Sequence, residues 1–399
     1  MPIDLVEVRT RRDRKRWVRF PYAHYRNQPA YVPQLIGDEL AYFDPGKNPA
    51  FEVCDVRLFL AEKEGKVVGR ICGLVNSLET EKLGRKRGRF GWFESVDDPA
   101  VAHALLDVVR NWHESTGCVE MTGPHGFTDL DVEGLLLDGF DSIPTVAGTY
   151  NYPYYAALVE DFGMSKDVDY FDCRFRVPEG PCFIDRLGAR AEASGTYHVR
   201  PVKGRKAFLE HVAMLWPVLE KAFEPLYGVT PLTAAQQAYY TKKYFGFLDP
   251  EFFAFIFSAD GELVAFLAAM PNISKALRKA RGHLWPFGFV HLLRDLRRPE
   301  TVDFLLAGSL PGHNSSSITA VGLKYMFETL RRRGVSFVEG NHELENNTTI
   351  HQMWNRFGLV SKRRSRVYRM PLRGERTKQA SASRKQPVGA PVRTNHREL

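Results

Sequence analysis

The feature that most narrows what this chain can fold into is an internal repeat. Residues 56–61 and 66–75 are two β-rich runs around Glu-Lys-Glu-Gly, in which Gly65 supplies the positive φ of a tight hairpin. Residues 252–257 and 263–270 repeat the pattern around Asp260-Gly261. Each hairpin is followed by a strand, an amphipathic helix and a strand: 89–94, 99–115 and 118–122 in the first half, then 301–307, 316–333 and 335–339 in the second. Gly117 and Gly334 stand just past the last periodic residue of each helix, as left-handed caps. Both halves close with a short helix and a strand, 154–162 with 169–177 and 348–357 with 366–372. The same order twice predicts an α/β chain (α+β, mixed sheet) of tandem domains. Each is a mixed β-sheet flanked by helices, with a ligand crevice where the central strands diverge.

The two repeats differ in length. Gly65 to Gly117 spans 52 residues and Gly261 to Gly334 spans 73, so the second half carries an insertion, placed at 275–298 around Trp285, Pro286, Phe287 and Phe289. The expected organisation is an N-terminal domain at 1–180, a linker at 181–195, a C-terminal domain at 196–372 and a basic, disordered tail at 373–399. A chain of 399 residues is long enough for two cores, and 44% hydrophobic with 26% charged residues excludes a largely disordered body.

Cys54, Cys72, Cys118, Cys173 and Cys182 are odd in number and scattered, which predicts neither a disulfide framework nor a metal site and favours a reducing, cytoplasmic compartment. The basic stretch at 11–16 is followed by no apolar run of the signal-peptide kind. The most apolar segment, 252–270, is broken by Asp260, Gly261 and Glu262, so it reads as a hairpin and not a membrane span. A net charge of +8 favours anionic partners. No nucleic-acid module is recognisable, and no specific nucleic acid is expected. Residues 275–298 and the basic tail suit peripheral contact with an anionic inner-membrane surface, and equally a packed helix with solvated cations.

Seven strings carry a family resemblance. In the first half they are FPYAHYRNQPAYVPQL from Phe20, NPAFEVCDVRLFLAEKEGKVVGRI from Asn48, GRFGWFESVDD from Gly88, GLLLDGFDSIP from Gly134 and YNYPYYAALVEDFGM from Tyr150. In the second they are NHELENNTTIHQMW from Asn341 and SKRRSRVYRM from Ser361. The chain resembles the GNAT superfamily of acyl-CoA N-acyltransferases, and within it the bacterial ceramide synthase-like, or YghO-like, family. The resemblance implies acyl-CoA as co-substrate, no metal, and transfer of a fatty acyl group to a lipid or sphingoid-base amine. The chain departs from the superfamily at the pyrophosphate loop, where 310–319 reads LPGHNSSSIT without the usual glycines. In the first half Asp97 and Asp98 stand where a phosphate would approach, so that half is expected not to bind.

A diphosphate needs free backbone N–H groups at a helix N-terminus. Leu310, Gly312, His313, Asn314, Ser315, Ser316 and Ser317 precede or open the long second-half helix and are the cofactor-binding candidates, with Asn347 before the closing helix. Asn314 and the serines are also ordinary N-caps. An amine nucleophile must lose a proton, and His342, Glu343 and Glu345 follow a central strand where that base belongs. Glu345 serves equally as a helix cap. His313 and His351 are further acid candidates. Tyr150, Tyr154, Tyr155, Trp285 and Phe287 are the substrate-groove candidates, the tyrosines fitting ordinary packing as well. Two other readings stay open: a catalytically silent GNAT-like binding protein, and an aminoacyl-tRNA-dependent transferase on a related double fold.

Overall fold

The computed structural model describes residues 2–246 and 248–372; the tail expected at 373–399 lies outside the described residues. The first half contains β1 (Asp4–Glu7), α1 (Arg11–His24), α2 (Ile36–Tyr42), the hairpin β2 (Cys54–Lys63) and β3 (Lys66–Asn76), α3 (Ser77–Leu83), β4 (Arg87–Ser95) and α4 (Pro99–Ser115). It continues through β5 (Glu120–Gly123), β6 (Leu135–Asp138), α5 (Tyr155–Asp161) and β7 (Ser165–Arg176). The segment expected as a linker carries α6 (Phe183–Ala193), which packs on the long helix of the second half. The second half follows with β8 (Tyr197–Val199), α7 (Arg205–Phe223), α8 (Ala234–Tyr240), the hairpin β9 (Phe253–Ser258) and β10 (Leu263–Pro271), α9 (Ser274–Ala280) and α10 (Gly288–Arg297). It closes with β11 (Thr301–Ser309), α11 (Ser315–Arg332), β12 (Phe337–Leu344), α12 (Thr348–Asn355) and β13 (Leu359–Pro371).

Local chemistry sets the ends of the two long helices. Asp98 accepts from the Ala100 amide at 2.9 Å ahead of Pro99, which starts α4. Asn314 accepts from the Ser317 amide at 3.1 Å and starts α11. Gly117 (φ +83°) and Gly334 (φ +67°) turn the chain out of these helices in the left-handed region. Leu105, Leu106 and Val109 of α4, and Val321, Met326 and Leu330 of α11, are fully buried on the sheet. Each such side chain contributes about 1.5–3 kcal/mol by leaving water.

The strands form one continuous sheet in the order β1-β2-β3-β4-β5-β13-β7-β12-β11-β10-β9-β8, with β6 on β13. Two neighbouring pairs are parallel. β4 and β5 pair only over Arg87–Arg89 and Glu120–Thr122, and β11 and β12 only over Thr301–Phe304 and Phe337–Gly340. Beyond those registers the strands diverge, so the sheet holds two splayed crevices, one per repeat.

The centre of the sheet departs from a simple tandem. The last strand of the second half, β13, lies between β5 and β7, while β7, the last strand of the first half, pairs with β12. The halves exchange their closing strands. Period-two patterning indicates that 165–176 and 359–371 are strands, but it carries no information on which edge each one joins.

Candidate functional site

The second-half crevice opens into a cavity of about 1490 Å³ lying between the two halves. Ligand pockets are commonly about 300–1000 Å³, so this one holds an unusually large guest. Its deep part is apolar: Phe253 and Phe266 of the β9–β10 hairpin, Trp216 and Phe223 of α7, and Leu292 and Leu296 of α10 all face it. At the end facing the first half the lining turns polar, with Glu39 of α2, Arg70 of β3, Asp129 and Asp131 of the loop after β5, and Lys243 just after α8. Burial pushes the Asp129 carboxyl up to about 7 and holds the Lys243 ammonium below its ordinary range.

Glu343 stands in the cavity wall where β11 and β12 part. The register of β12 against β7 slips between Gly340 and Glu343, and His342 within the slip has φ +45°. The bulge turns Glu343 back over Gly340, where an added Cβ would lie 2.8 Å from Glu343 Oε1 and 3.1 Å from Cys173 Sγ; glycine is needed for that close approach. Trp354 Nε1 donates to Glu343 Oε1. Glu343 Oε2 lies 3.3 Å from Nδ1 of His351, whose Nε2 is 3.0 Å from the Leu344 carbonyl oxygen. Since only an N–H can satisfy that carbonyl, Nε2 carries a hydrogen and Nδ1 is the ring nitrogen turned to Glu343. Desolvation raises the Glu343 carboxyl to about 7, with the Asp172 charge adding to the shift. A carboxyl of that pKa beside an imidazole can take up and release a proton near neutral pH.

His342 also lines the cavity, in a different state. Burial opposes its charge, but Asp172 Oδ1, 3.2 Å from Nδ1, and the Glu133 carbonyl oxygen, 3.2 Å from Nε2, carry its pKa above the ordinary value. Both ring nitrogens face acceptors, which favours the charged form of the ring. The Asp172 carboxylate also accepts from the His342 amide at 2.8 Å. Glu133 in turn binds His125 Nδ1 at 3.0 Å and the Tyr170 hydroxyl at 2.9 Å. Asp172, Glu133 and Trp354 escape sequence reasoning because their partners come from other strands; only the spacing from Glu343 to Trp354, eleven residues along, hints at a contact.

The start of α11 is open. Pro311, Gly312, Asn314, Ser315 and Ser316 are exposed, and no side chain stands within 4 Å of a Cβ added at Gly312. Ser315 reaches the cavity lining; Leu310, Gly312, His313, Asn314, Ser316 and Ser317 do not and form its outer approach. Tyr197 holds this loop, accepting from the Asn314 amide at 3.1 Å and facing His313 Nδ1 at 3.3 Å, and Asn314 occupies the Ser317 amide. The first-turn amides of Ser315 and Ser316 have no intrahelical acceptor and point out of the helix end. Asn347 both lines the cavity and caps α12.

Several expected residues lie elsewhere. Glu345 is outside the cavity lining: it is ion-paired to Lys166 and accepts from the Asp169 amide at 3.3 Å, which ties β12 to β7. Tyr150 lines the cavity, but Tyr154 and Tyr155 do not. Tyr155 is fully buried in the first-half crevice, where its hydroxyl accepts from the Ser95 amide at 3.0 Å and donates to Glu94 at 2.8 Å. Tyr154 donates to the Ser95 carbonyl at 2.8 Å. The N-terminal approach to α4 is thereby filled by the chain's own side chains. Trp285 and Phe287 point to solvent and do not line the cavity, because the turn before α10 carries them outward.

No family model matches the chain. It is 28% identical over 365 residues to Protein YghO of Escherichia coli (strain K12), covering 89% of this chain and 92% of that one. It is also 28% identical over 332 residues to Bacterial ceramide synthase of Caulobacter vibrioides, covering 83% of each chain. Among solved structures, a tandem GNAT protein from the clavulanic acid biosynthesis pathway superposes with a TM-score of 0.52 at 13% identity, covering 93% of this chain and 98% of that one. A GCN5-related glucosamine N-acetyltransferase region of a fungal multi-domain protein gives a TM-score of 0.57 at 12% identity, over 93% of this chain and 38% of that one. The likeness expected from the sequence is therefore found in both sequence and structure, and the fold is that of tandem GNAT proteins.

Proposed function

We propose that the protein is an acyl-CoA-dependent N-acyltransferase that moves a fatty acyl group onto the amine of a lipid, such as a sphingoid base, and meets that lipid at the inner membrane surface. The observation that carries the reading is the position of Glu343. It sits where the β11–β12 crevice joins a large apolar chamber. The open first turn of α11 fits the diphosphate of coenzyme A, with the Ser315 and Ser316 amides as donors. Asn347 and Ser315 flank the path inward.

In this reading the neutral amine nitrogen attacks the thioester carbonyl carbon. The C–N bond forms, the C–S bond breaks, the amine proton passes to Glu343 in its carboxylate form, and Glu343 returns that proton to the leaving thiolate, which departs as the thiol. The first-half residues Glu39, Arg70, Asp129 and Asp131 receive the polar end of the acceptor, and the apolar walls receive hydrocarbon. Support for a lipid acceptor comes from the chamber's size and lining and from the name of the Caulobacter relative.

The alternative of a silent binding protein draws on the absent loop glycines and on the Tyr197 anchor that restrains residues 313–314. Two measurements separate the readings. Calorimetry with palmitoyl-CoA reads binding, and mass spectrometry of a mixture of protein, palmitoyl-CoA and sphinganine reads an N-acyl product. Binding with product formation supports the transferase. Binding without product over a panel of long-chain amines, or no binding at high micromolar ligand, removes the transferase and leaves the silent protein.

A further inference from the structure

The inserted segment from α9 to α10 has apolar residues on both of its faces. Leu277, Leu284, Phe289, Leu292 and Leu296 look inward and complete the cavity wall. On the outside, Trp285 and Phe287 are each 72% exposed, Val290 is 50% exposed and Leu293 46%. A helix that merely covers a core gives its outer face to polar residues, and contiguous exposed aromatics of this kind mark a surface meant for an apolar partner. Leu284 and Leu293 do both: they line the cavity and remain 38% and 46% exposed, so the rim of the chamber reaches the same patch.

Charge around the patch selects the partner. Residues 275–298 contain seven Lys and Arg against one Asp. Lys275, Lys279, Arg281, Arg294, Arg297 and Arg298 are exposed. Trp and Phe at a tip with cations behind them match the boundary of an anionic bilayer, where rings enter the acyl region and cations stay with the headgroups. The segment is also anchored to the first half, through the Ile36 amide to the Gly282 carbonyl at 2.9 Å and the packing of Gly282 on Tyr22. Its tip is thus presented by both halves together.

We infer that residues 284–293 form a membrane-docking surface for anionic lipid, which seats the rim of the cavity on the bilayer so that a lipid chain enters the chamber without crossing water. This rests on the lipid-acceptor reading above for its purpose, but the docking itself is read without turnover. The full-length protein is sedimented with vesicles of phosphatidylcholine alone and of phosphatidylcholine with 30% phosphatidylglycerol, an amount of about one third that gives an appreciable negative surface. The expected result is binding to the anionic vesicles, weakened by added salt, and a loss of at least about tenfold in the W285S/F287S double variant. A second variant, R294Q/R297Q/R298Q, keeps the apolar tip and is expected to lose the preference for anionic over neutral vesicles. Unchanged unfolding midpoints establish that both variants fold. A wild-type protein that stays in the supernatant with anionic vesicles at low salt, or a W285S/F287S variant that binds as well as wild type, overturns the inference. If vesicles are bound as expected but no N-acyl product forms with any amine, the transferase reading fails and the docking surface stands. If product forms in detergent while vesicles are not bound, the reverse holds.

Discussion

Glu343 Oε2, in the wall of the cavity, lies 3.3 Å from Nδ1 of His351 behind it, whose other nitrogen is committed to the Leu344 carbonyl. Desolvation raises the Glu343 carboxyl of this pair to about 7. That arrangement differs from the neighbouring His342–Asp172 pair, in which both side chains are fixed by further partners, Asp172 by the His342 amide and His342 by the Glu133 carbonyl. Desolvation leaves Glu343 titrating near neutrality while His342 is tied to Asp172 and the Glu133 carbonyl, so one strand end carries both a titrating group and a structural one.

The first prediction concerns this pair. Glu343→Gln keeps the Trp354 contact and the volume but cannot accept a proton, so kcat for N-acyl transfer falls by about 10²–10⁴-fold while palmitoyl-CoA affinity stays within about threefold. Glu345→Gln, whose residue only ties β12 to β7, leaves turnover close to wild type. Steady-state rates with calorimetric affinities check both; a loss in Glu345→Gln with full turnover in Glu343→Gln would move the base to Glu345, and full turnover in both would remove the assignment.

A pH dependence of stability follows from the same group. The folded-state pKa of Glu343 is raised to about 7 against an ordinary 4.5, so the folded protein holds a proton that the unfolded chain has released. The stability it contributes is complete below pH 4.5 and is lost as pH rises through 7. Between pH 6 and pH 8 wild type should lose about 1 kcal/mol more than Glu343→Gln, because the amide has no proton to lose. Urea unfolding of the two proteins at both pH values reads the difference; parallel behaviour would mean that the carboxyl is already ionised at pH 6.

The repeat, the helix caps and the order of elements are legible in the sequence because each is a local signal: a hairpin glycine, a cap residue, a period of two or 3.6. Glu343 is legible too, as a carboxylate at the end of a central strand. The strand exchange is not, since the faces of β7 and β13 read alike whichever edge they join. Tyr155 illustrates the same limit. Its sequence neighbours suggest a groove, yet its environment is set by Glu94 and the Ser95 amide some sixty residues away. Trp285 and Phe287 read as groove residues by composition alone, and only the turn before α10 decides that they face outward.

A third prediction tests the buried tie between the halves. Arg89 is fully buried, with Nε 2.9 Å from Glu79 Oε2, and Nη2 2.7 Å from Glu79 Oε1 and 2.7 Å from the Gly228 carbonyl. Arg89→Met leaves the Glu79 carboxylate buried without its main partner, which costs about 3–5 kcal/mol. The double variant Arg89→Met/Glu79→Met should recover a substantial part of that loss, since no charge is then stranded. Denaturant midpoints for the three variants decide it, and additive losses would mean that the pair is not coupled.

The last prediction turns on β13. Its residues pair with β5 from Tyr368 to Pro371 and with β7 from Leu359 to Arg369, so a strand contributed by the second half fills the middle of the sheet. β7 in turn holds the free side of β12. A fragment of residues 1–180 therefore has an uncovered β5 edge and a β7 with no partner on either side, and unpaired edges of this kind associate or melt. A fragment of 181–372 lacks the strand that separates β12 from β13. Neither should give a cooperative unfolding transition alone, whereas mixing the two during refolding should restore one, because each supplies the strand the other lacks. Independent cooperative folding of either fragment, followed by near-ultraviolet circular dichroism, would mean that the exchange is not required and that each half can close its own sheet.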